Sequence, residues 1–370
     1  MSRTEISSSA RRGPKGFTMI ELLIGSTIML IVIIAALAVY SKSNQISVDQ
    51  QQYTEIQHDV RSAMYFMMRD TRMAGAGLPE QFNMFALEGV DNEDQGAASG
   101  VRPDRLRILG NIEIPLSLPI RNYQGSAVPL DIDDYSFENY PYEDAFYDNK
   151  IVLVLPNPAA ACRAGEVRQI THVTHSTGGT NERLNFSPGL APGIDPPGGL
   201  SGTCADSNNY DGGLVTFIDV IEYWLDVTGN FTGLTAGVNG YIGGGEGGVF
   251  YRTNNGVHYP IAQNIENFQV QYNGDFNNDG LLDGFQEWNA GWSPDQVALI
   301  RQIRIQLLGR TPRRFVSVSG TPDAAIHNYR RPAMANSAAA ATDDLHRRFL
   351  LESTSNIRNL SLGLYNRGER

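Results

Sequence analysis

The pattern of apolar and polar positions changes its period twice along this chain. From Phe17 to Tyr40 (FTMIELLIGSTIMLIVIIAALAVY) nearly every position is apolar, and Glu21 is the sole charge. Such a run makes about 36 Å of helix, enough to cross a hydrocarbon layer of ~30 Å with some tilt. From Ser41 the composition turns polar. An apolar stripe nevertheless persists at Ile46, Tyr53, Ile56, Val60, Met64, Met67 and Ala74. Its spacings of three, four and seven mark one face of a helix. No proline occurs between Phe17 and Leu78, and Gly75, Gly77 and Pro79 supply the stop. The pattern predicts one helix of about 87 Å, membrane-spanning over 17–40 and amphipathic over 41–78. Its Met and aromatic stripe is expected to pack on a sheet.

Beyond Pro79 the helical period is lost. β-branched runs separated by turn residues predict strands at Leu106–Leu109, Ile151–Leu155, Val167–Val173, Leu214–Val227, Val249–Arg252, Ile265–Tyr272 and Ile300–Leu308. The alternation of IRIQL at 303–307 predicts a sheet with one solvated face, the helix stripe covering the other. Two Gly- and Pro-rich excursions, 156–213 and 228–248, are expected as surface loops; neither carries the GK[ST] of a phosphate cradle. The predicted class is α+β: a long N-terminal helix packed on an antiparallel β-sheet with long loops, its head domain spanning 79–370.

Charge fixes orientation and narrows the partners. The first sixteen residues hold Arg3, Arg11, Arg12 and Lys15 against Glu5, whereas the whole chain carries −11. Positive charge before the span places the N-terminus in the cytoplasm and the head outside. A cleaved secretory signal fits poorly, because the apolar run is long and no small-residue cleavage site follows it. The acidic remainder repels phosphate backbones, so no nucleic-acid partner is expected. With the head outside the cytoplasm, the two cysteines, Cys162 and Cys204, are expected to form a disulfide, the alternative being two separate buried thiols.

A charged carboxylate in a bilayer costs roughly 2.5 kcal/mol or more, so Glu21 calls for a function. The stretch GPKGFTMIELLI at 13–24 resembles the type IV prepilin processing motif. The resemblance implies that residues 1–16 are a leader, removed by prepilin peptidase between Gly16 and Phe17, and that Phe17 is then N-methylated. It also implies that Glu21 meets the Phe17 amine of a neighbouring subunit during assembly, each charge offsetting the cost of the other. VIEYWLD at 220–226, VFYRTNNG at 249–256, NIENFQVQY at 264–272, IRQIRIQLLGRTPR at 300–313 and HRRFLLESTSNIRNL at 346–360 resemble the larger minor pilins of the PilW type. Those resemblances imply a minor pilin held in the inner membrane, then built into a filament with other pilins at an assembly platform. A type II secretion pseudopilin and a calcium-dependent adhesin are the alternatives.

One motif is independent of that resemblance. Residues 275–287, DFNNDGLLDGFQE, follow D-x-N-x-D-G-x-x-D, the first nine positions of an EF-hand-type calcium loop. Asp275, Asn277 and Asp279 would supply side-chain oxygens, Leu281 its carbonyl, and Asp283 a direct or water-bridged contact. Position twelve is Gln286, so Glu287 is the candidate last ligand. The six histidines and the acidic DIDDY at 131–135 form no catalytic signature such as HExxH or GxSxG, and no enzyme is expected.

Overall fold

The computed structural model describes residues 16–78, 86–95, 101–114, 116–123, 130–133, 150–160, 166–175, 181–186, 210–229, 231, 234–242, 247–277, 279–312, 330–344 and 346–357. Helix α1 is Met19–Arg72. The strands are β1 (Leu87–Val90), β2 (Arg105–Gly110), β3 (Ser117–Tyr123), β4 (Leu130–Asp133), β5 (Ile151–Leu155), β6 (Glu166–His175), β7 (Asn181–Phe186), β8 (Leu214–Asp226), β9 (Val249–Asn254), β10 (Val257–Gln263), β11 (Ile265–Gly274), β12 (Ile300–Arg310) and β13 (Arg348–Asn356). The chain divides into two compact units between Gln52 and Tyr53, inside α1.

In the first unit the apolar side chains of the span, among them Ile20, Leu23, Met29, Ile34 and Leu37, are exposed. Two hydroxyls in the middle of the span are satisfied internally: Ser26 Oγ and Thr27 Oγ1 both donate to the Leu23 carbonyl, at 2.9 and 2.8 Å. Backbonding of this kind removes polar groups that hydrocarbon would penalise.

In the second unit the last turns of α1 lie on sheet. Ile56, Val60, Ala63, Met64 and Met67 are buried in one core with Ile265, Phe268, Val270, Ile303, Ile305 and Leu307, and with Leu106, Ile108, Ile221, Tyr223 and Phe250. Each large side chain so buried contributes roughly 1.5–3 kcal/mol. The approach to β12 is close: a Cβ on Gly309 would lie 2.4 Å from Ile56 Cγ2 and 2.9 Å from Val60 Cγ2. A buried charge fixes the helix further. Asp70, fully buried on α1, accepts Tyr223 Oη and Arg252 Nε at 2.7 Å each on Oδ2 and Arg69 Nε at 2.8 Å on Oδ1. Burying a carboxylate is affordable only when its oxygens are this fully engaged.

The helix stops at Arg72, earlier than Leu78. Met73 N and Ala74 N bond back to Asp70 O and Thr71 O, and Gly75, at φ +75°, gives its N–H to Leu109 O at 2.8 Å. Asn111 N bonds Ala76 O at 2.7 Å. Pairing with β2 thus takes the groups another helical turn would use.

Among the described residues the antiparallel strands form two sheets, one of ten strands and one of three, β11, β12 and β13. β8 organises the larger one. Asp219–Tyr223 pair with β2 and Ile221–Asp226 with β9, while Leu214–Ile218 pair with β5 and Leu214–Thr216 with β3. The pairings β8–β3–β4–β7–β6–β5–β8 close a ring of six antiparallel strands. The ring has its own core of Leu118, Ile120, Val152, Val154, Ile170, Val173, Leu184, Val215 and Phe217. β6 contains the strand expected at Val167–Val173, whereas β7 lies in the part of 156–213 expected to be loop.

Candidate functional site

The N-terminal site is set by how α1 begins. Thr18 precedes the first helical residue, and Glu21 stands three places later. Thr18 N and Thr18 Oγ1 donate to Glu21 Oε2 at 2.9 and 2.8 Å, and Glu21 N donates to Thr18 Oγ1 at 3.3 Å. This is a reciprocal capping box: side chain and backbone each satisfy the other's orphan donor. T-x-x-E at 18–21 was readable as a cap in the sequence, where the apolar context drew the reading toward membrane cost instead. Gly16 and Phe17 precede the helix, Phe17 is 84% exposed, and a Cβ on Gly16 would meet nothing within 4 Å. Sterically, this segment is open to an enzyme.

The acidic loop follows β11. Asp279 N and Gly280 N donate to Asp275 Oδ1 and Oδ2 at 2.9 and 2.8 Å. Phe276 N and Asn277 N reach Asp283 Oδ2 at 2.7 and 3.3 Å, and Leu281 N reaches Asp279 Oδ1 at 2.8 Å. Asn277 Nδ2 bridges Asp279 Oδ2 and Asp283 Oδ1 at 3.2 and 2.8 Å. Gly280 takes φ +84°, as the turn requires. Asp275, Asn277, Asp279, Leu281 and Asp283 therefore share one turn, and every donor to an ion there would be oxygen, the set that suits calcium.

Glu287 is placed elsewhere. After the loop the chain runs back along β11, Tyr272 and Gln286 exchanging backbone bonds at 2.8 and 2.9 Å. Gln271 Nε2 then holds Glu287 Oε1 at 2.8 Å. Glu287 gathers with Asp91 and Asp104, one oxygen from each lying within 4.8 Å of the others. Neither aspartate was singled out in the sequence; the signal was the acidic run Asp91, Glu93, Asp94 directly after β1. Cys162 and Cys204 lie outside the described residues, as do Asp134 and Tyr135 of DIDDY; Asp131–Asp133 belong to β4. Among the histidines, His258 shares a 2.8 Å hydrogen bond with Thr253 Oγ1, and burial pushes its pKa down.

Residues 11–37 match the family of the prokaryotic N-terminal methylation motif. No curated protein matches the chain significantly. Among solved structures, the type IV-like pilin TTHA1219 from Thermus thermophilus is similar at 13% identity over 57% of this chain and 85% of that one, with a TM-score of 0.21. The methylation motif thus stands at the head of an apolar helix whose later turns lie on antiparallel sheet.

Proposed function

We propose that this chain is a minor subunit of a type IV pilus, of the PilW type, that acts in filament assembly and catalyses no reaction. The observation that carries this reading is the methylation motif at 11–37 running directly into a helix of 54 residues. The helix has an apolar first part and ends on the sheets of the head. Prepilin peptidase removes residues 1–16 on the cytoplasmic side of the inner membrane and methylates Phe17. The head lies outside, and the chain leaves the bilayer into the filament with other pilins at the assembly platform. Its large, loop-rich head suits a tip or initiating position.

The capping box gives Glu21 a place in this sequence of events. Before assembly Glu21 Oε2 is occupied by Thr18, which lowers the cost of a carboxylate near the membrane. Cleavage then creates a cationic amine at Phe17, and the Glu21 carboxylate of an incoming subunit pairs with the amine of its neighbour. Calcium bound by Asp275, Asn277, Asp279, Leu281 and Asp283 would fix the end of β11, and a Cys162–Cys204 disulfide would pin the segment between them.

Mass spectrometry of the protein from cells tests the reading. The expected mature chain begins at N-methylated Phe17; a chain that still begins at Met1 overturns it. Glu21→Ala is expected to be inserted and cleaved but poorly incorporated, and Gly16→Leu to block cleavage on an immunoblot. Loss of pili on deletion supports the assembly role, whereas normal pili with lost attachment would favour the adhesin.

A further inference from the structure

The carboxylates of Asp91, Asp104 and Glu287 converge in a place that the acidic loop does not share. β1 and β2 pair antiparallel with Val90 opposite Arg105. Asp91, just after β1, and Asp104, just before β2, are thereby brought together. Glu287 arrives from the segment folded back along β11 through Tyr272 and Gln286. We propose that Asp91, Asp104 and Glu287 form a site for a hard divalent cation, calcium, which ties the β1–β2 pair to β11 and the chain that follows it.

Three observations carry the site. The first is geometric: three oxygens within 4.8 Å of one another lie within about 2.8 Å of a common centre, near the roughly 2.3–2.6 Å that calcium takes from oxygen. The second is rigidity. Asp104 is 3% exposed, and its two oxygens are aimed by backbone donors, Asn92 N to Oδ1 at 3.0 Å and Val270 N to Oδ2 at 2.7 Å. Asp91 is held by the side-chain amides of Asn92 and Asn336 at 3.0 and 2.8 Å. The segment containing Asn336 is thereby joined to the same corner.

The third observation points to a ligand. Tyr272 is 1% exposed and its hydroxyl has no hydrogen-bond partner among the described residues. That hydroxyl lies against Gly89, two residues before Asp91, where a Cβ would stand 2.6 Å from it. Asp104, Glu287 and Asp91 are the charged groups that act on it. Glu287 Oε2 is likewise buried without a partner among the described residues. An orphaned buried hydroxyl costs roughly 1–3 kcal/mol. An ion held by three carboxylates keeps water at its remaining positions, and such water is what both orphaned atoms lack.

Asp91 and Glu287 are only half-buried, so an ion has a path in from their side.

The test is a calcium titration by calorimetry of the full chain in detergent, after chelator treatment. The variants are Glu287→Gln, Asp91→Asn and the loop pair Asp275→Asn/Asp279→Asn. Glu287→Gln and Asp91→Asn are expected each to lose one calcium equivalent or to bind it about tenfold or more weakly, with near-ultraviolet circular dichroism unchanged; the loop pair keeps that equivalent. If Asp91→Asn does not fold, the half-buried Glu287→Gln carries the test. Terbium bound at the cluster should be excited through Trp288, which lies 5.2 Å from the Tyr272 ring, and its emission should fall in Glu287→Gln. A wild-type chain without calcium uptake at millimolar concentration overturns the site. So does a Glu287→Gln chain with wild-type stoichiometry and affinity. Neither result touches the cleavage at Gly16–Phe17, which stands or falls by mass.

Discussion

The two largest of the four buried clusters among the described residues are made from different material. The helix-backed core joins α1 to β11 and β12 and to the second half of β8, and its aliphatic and aromatic residues come from segments far apart in sequence. The ring core is walled by six strands and draws on no residue of α1. β8 belongs to both: its first half closes the ring and its second half lies between β2 and β9. The difference separates two tasks. The first core holds the helix that would enter a filament; the second is built out from one strand and leaves the helix alone. On the proposed function, assembly depends on the seat of the helix more than on the ring strands.

The largest expected effect falls on that seat. Asp70→Ala removes the acceptor shared by Tyr223, Arg252 and Arg69 and leaves the nearly buried Arg252 guanidinium with only Glu113, at 3.4 Å. Breaking a buried pair costs about 3–5 kcal/mol, because the surviving charge is uncompensated. Denaturant unfolding in detergent should show that loss, and pilus incorporation should fall with it. An Asp70→Ala chain as stable as wild type would mean the helix is held by apolar packing alone.

Leu184→Ala makes the opposite probe. Leu184 is fully buried in the ring core, and its truncation should cost about 2–4 kcal/mol. Hydrogen exchange should rise in β3–β7 while the Tyr53–Arg72 turns of α1 keep their protection. Loss of protection in those turns would show that the two cores unfold together, and the separation of tasks would fail.

The two cores were also unequally legible in the sequence. The helix stripe was readable because α1 repeats one face over many turns, and of its positions Ile56, Val60, Met64, Met67 and Ala74 are buried. Runs such as Ile300–Leu308 announced themselves because strands buried against a helix need continuous apolar length. In the ring, β7 reads NERLNF, with Leu184 as its fully buried contribution, so its pairing with β4 and β6 left almost no pattern. β10 contains Pro260, tolerated beside a register shift on a strand paired only to β9. At the N-terminus the methylation motif was legible, but T-x-x-E was hidden in plain view as a cap. The Asp91–Asp104–Glu287 cluster was illegible, since pairing of β1 with β2 and the fold-back at Gln286 bring the three together from distant segments.

A smaller effect is expected where a loop joins β8 beyond either core. Asp226 ends β8 and is fully buried; its Oδ1 accepts Thr228 N and Gly229 N at 3.0 and 2.9 Å, and its Oδ2 accepts Tyr241 Oη at 2.7 Å. Asp226→Ala should cost about 1–3 kcal/mol. Proteolysis should then begin within 227–242, with both cores intact. Cleavage appearing first in the ring would place Asp226 in the ring's support instead.

The smallest effect is a pH dependence beside that loop, and its sign follows from one hydroxyl. Thr253 Oγ1 accepts Trp224 Nε1–H at 2.8 Å and shares a 2.8 Å hydrogen bond with His258 Nδ1. A neutral imidazole lets the hydroxyl donate to Nδ1 while it accepts from the indole. A protonated one would make both neighbours donors to the same oxygen and leave the hydroxyl proton unused. Burial pushes the His258 pKa down, Glu222 pulls it up and Arg105 pushes it down again. The unfolded chain therefore binds a proton first as pH falls below about 6.5, so stability drops with acid in that window and the loss levels off below the folded pKa. Between about pH 7.5 and 5.5 the wild-type melting temperature should fall further than that of His258→Gln, whose amide accepts the same hydroxyl at every pH. Equal falls in the two chains would assign the acid sensitivity to other groups and leave the aromatic face of β8 and β9 indifferent to protonation.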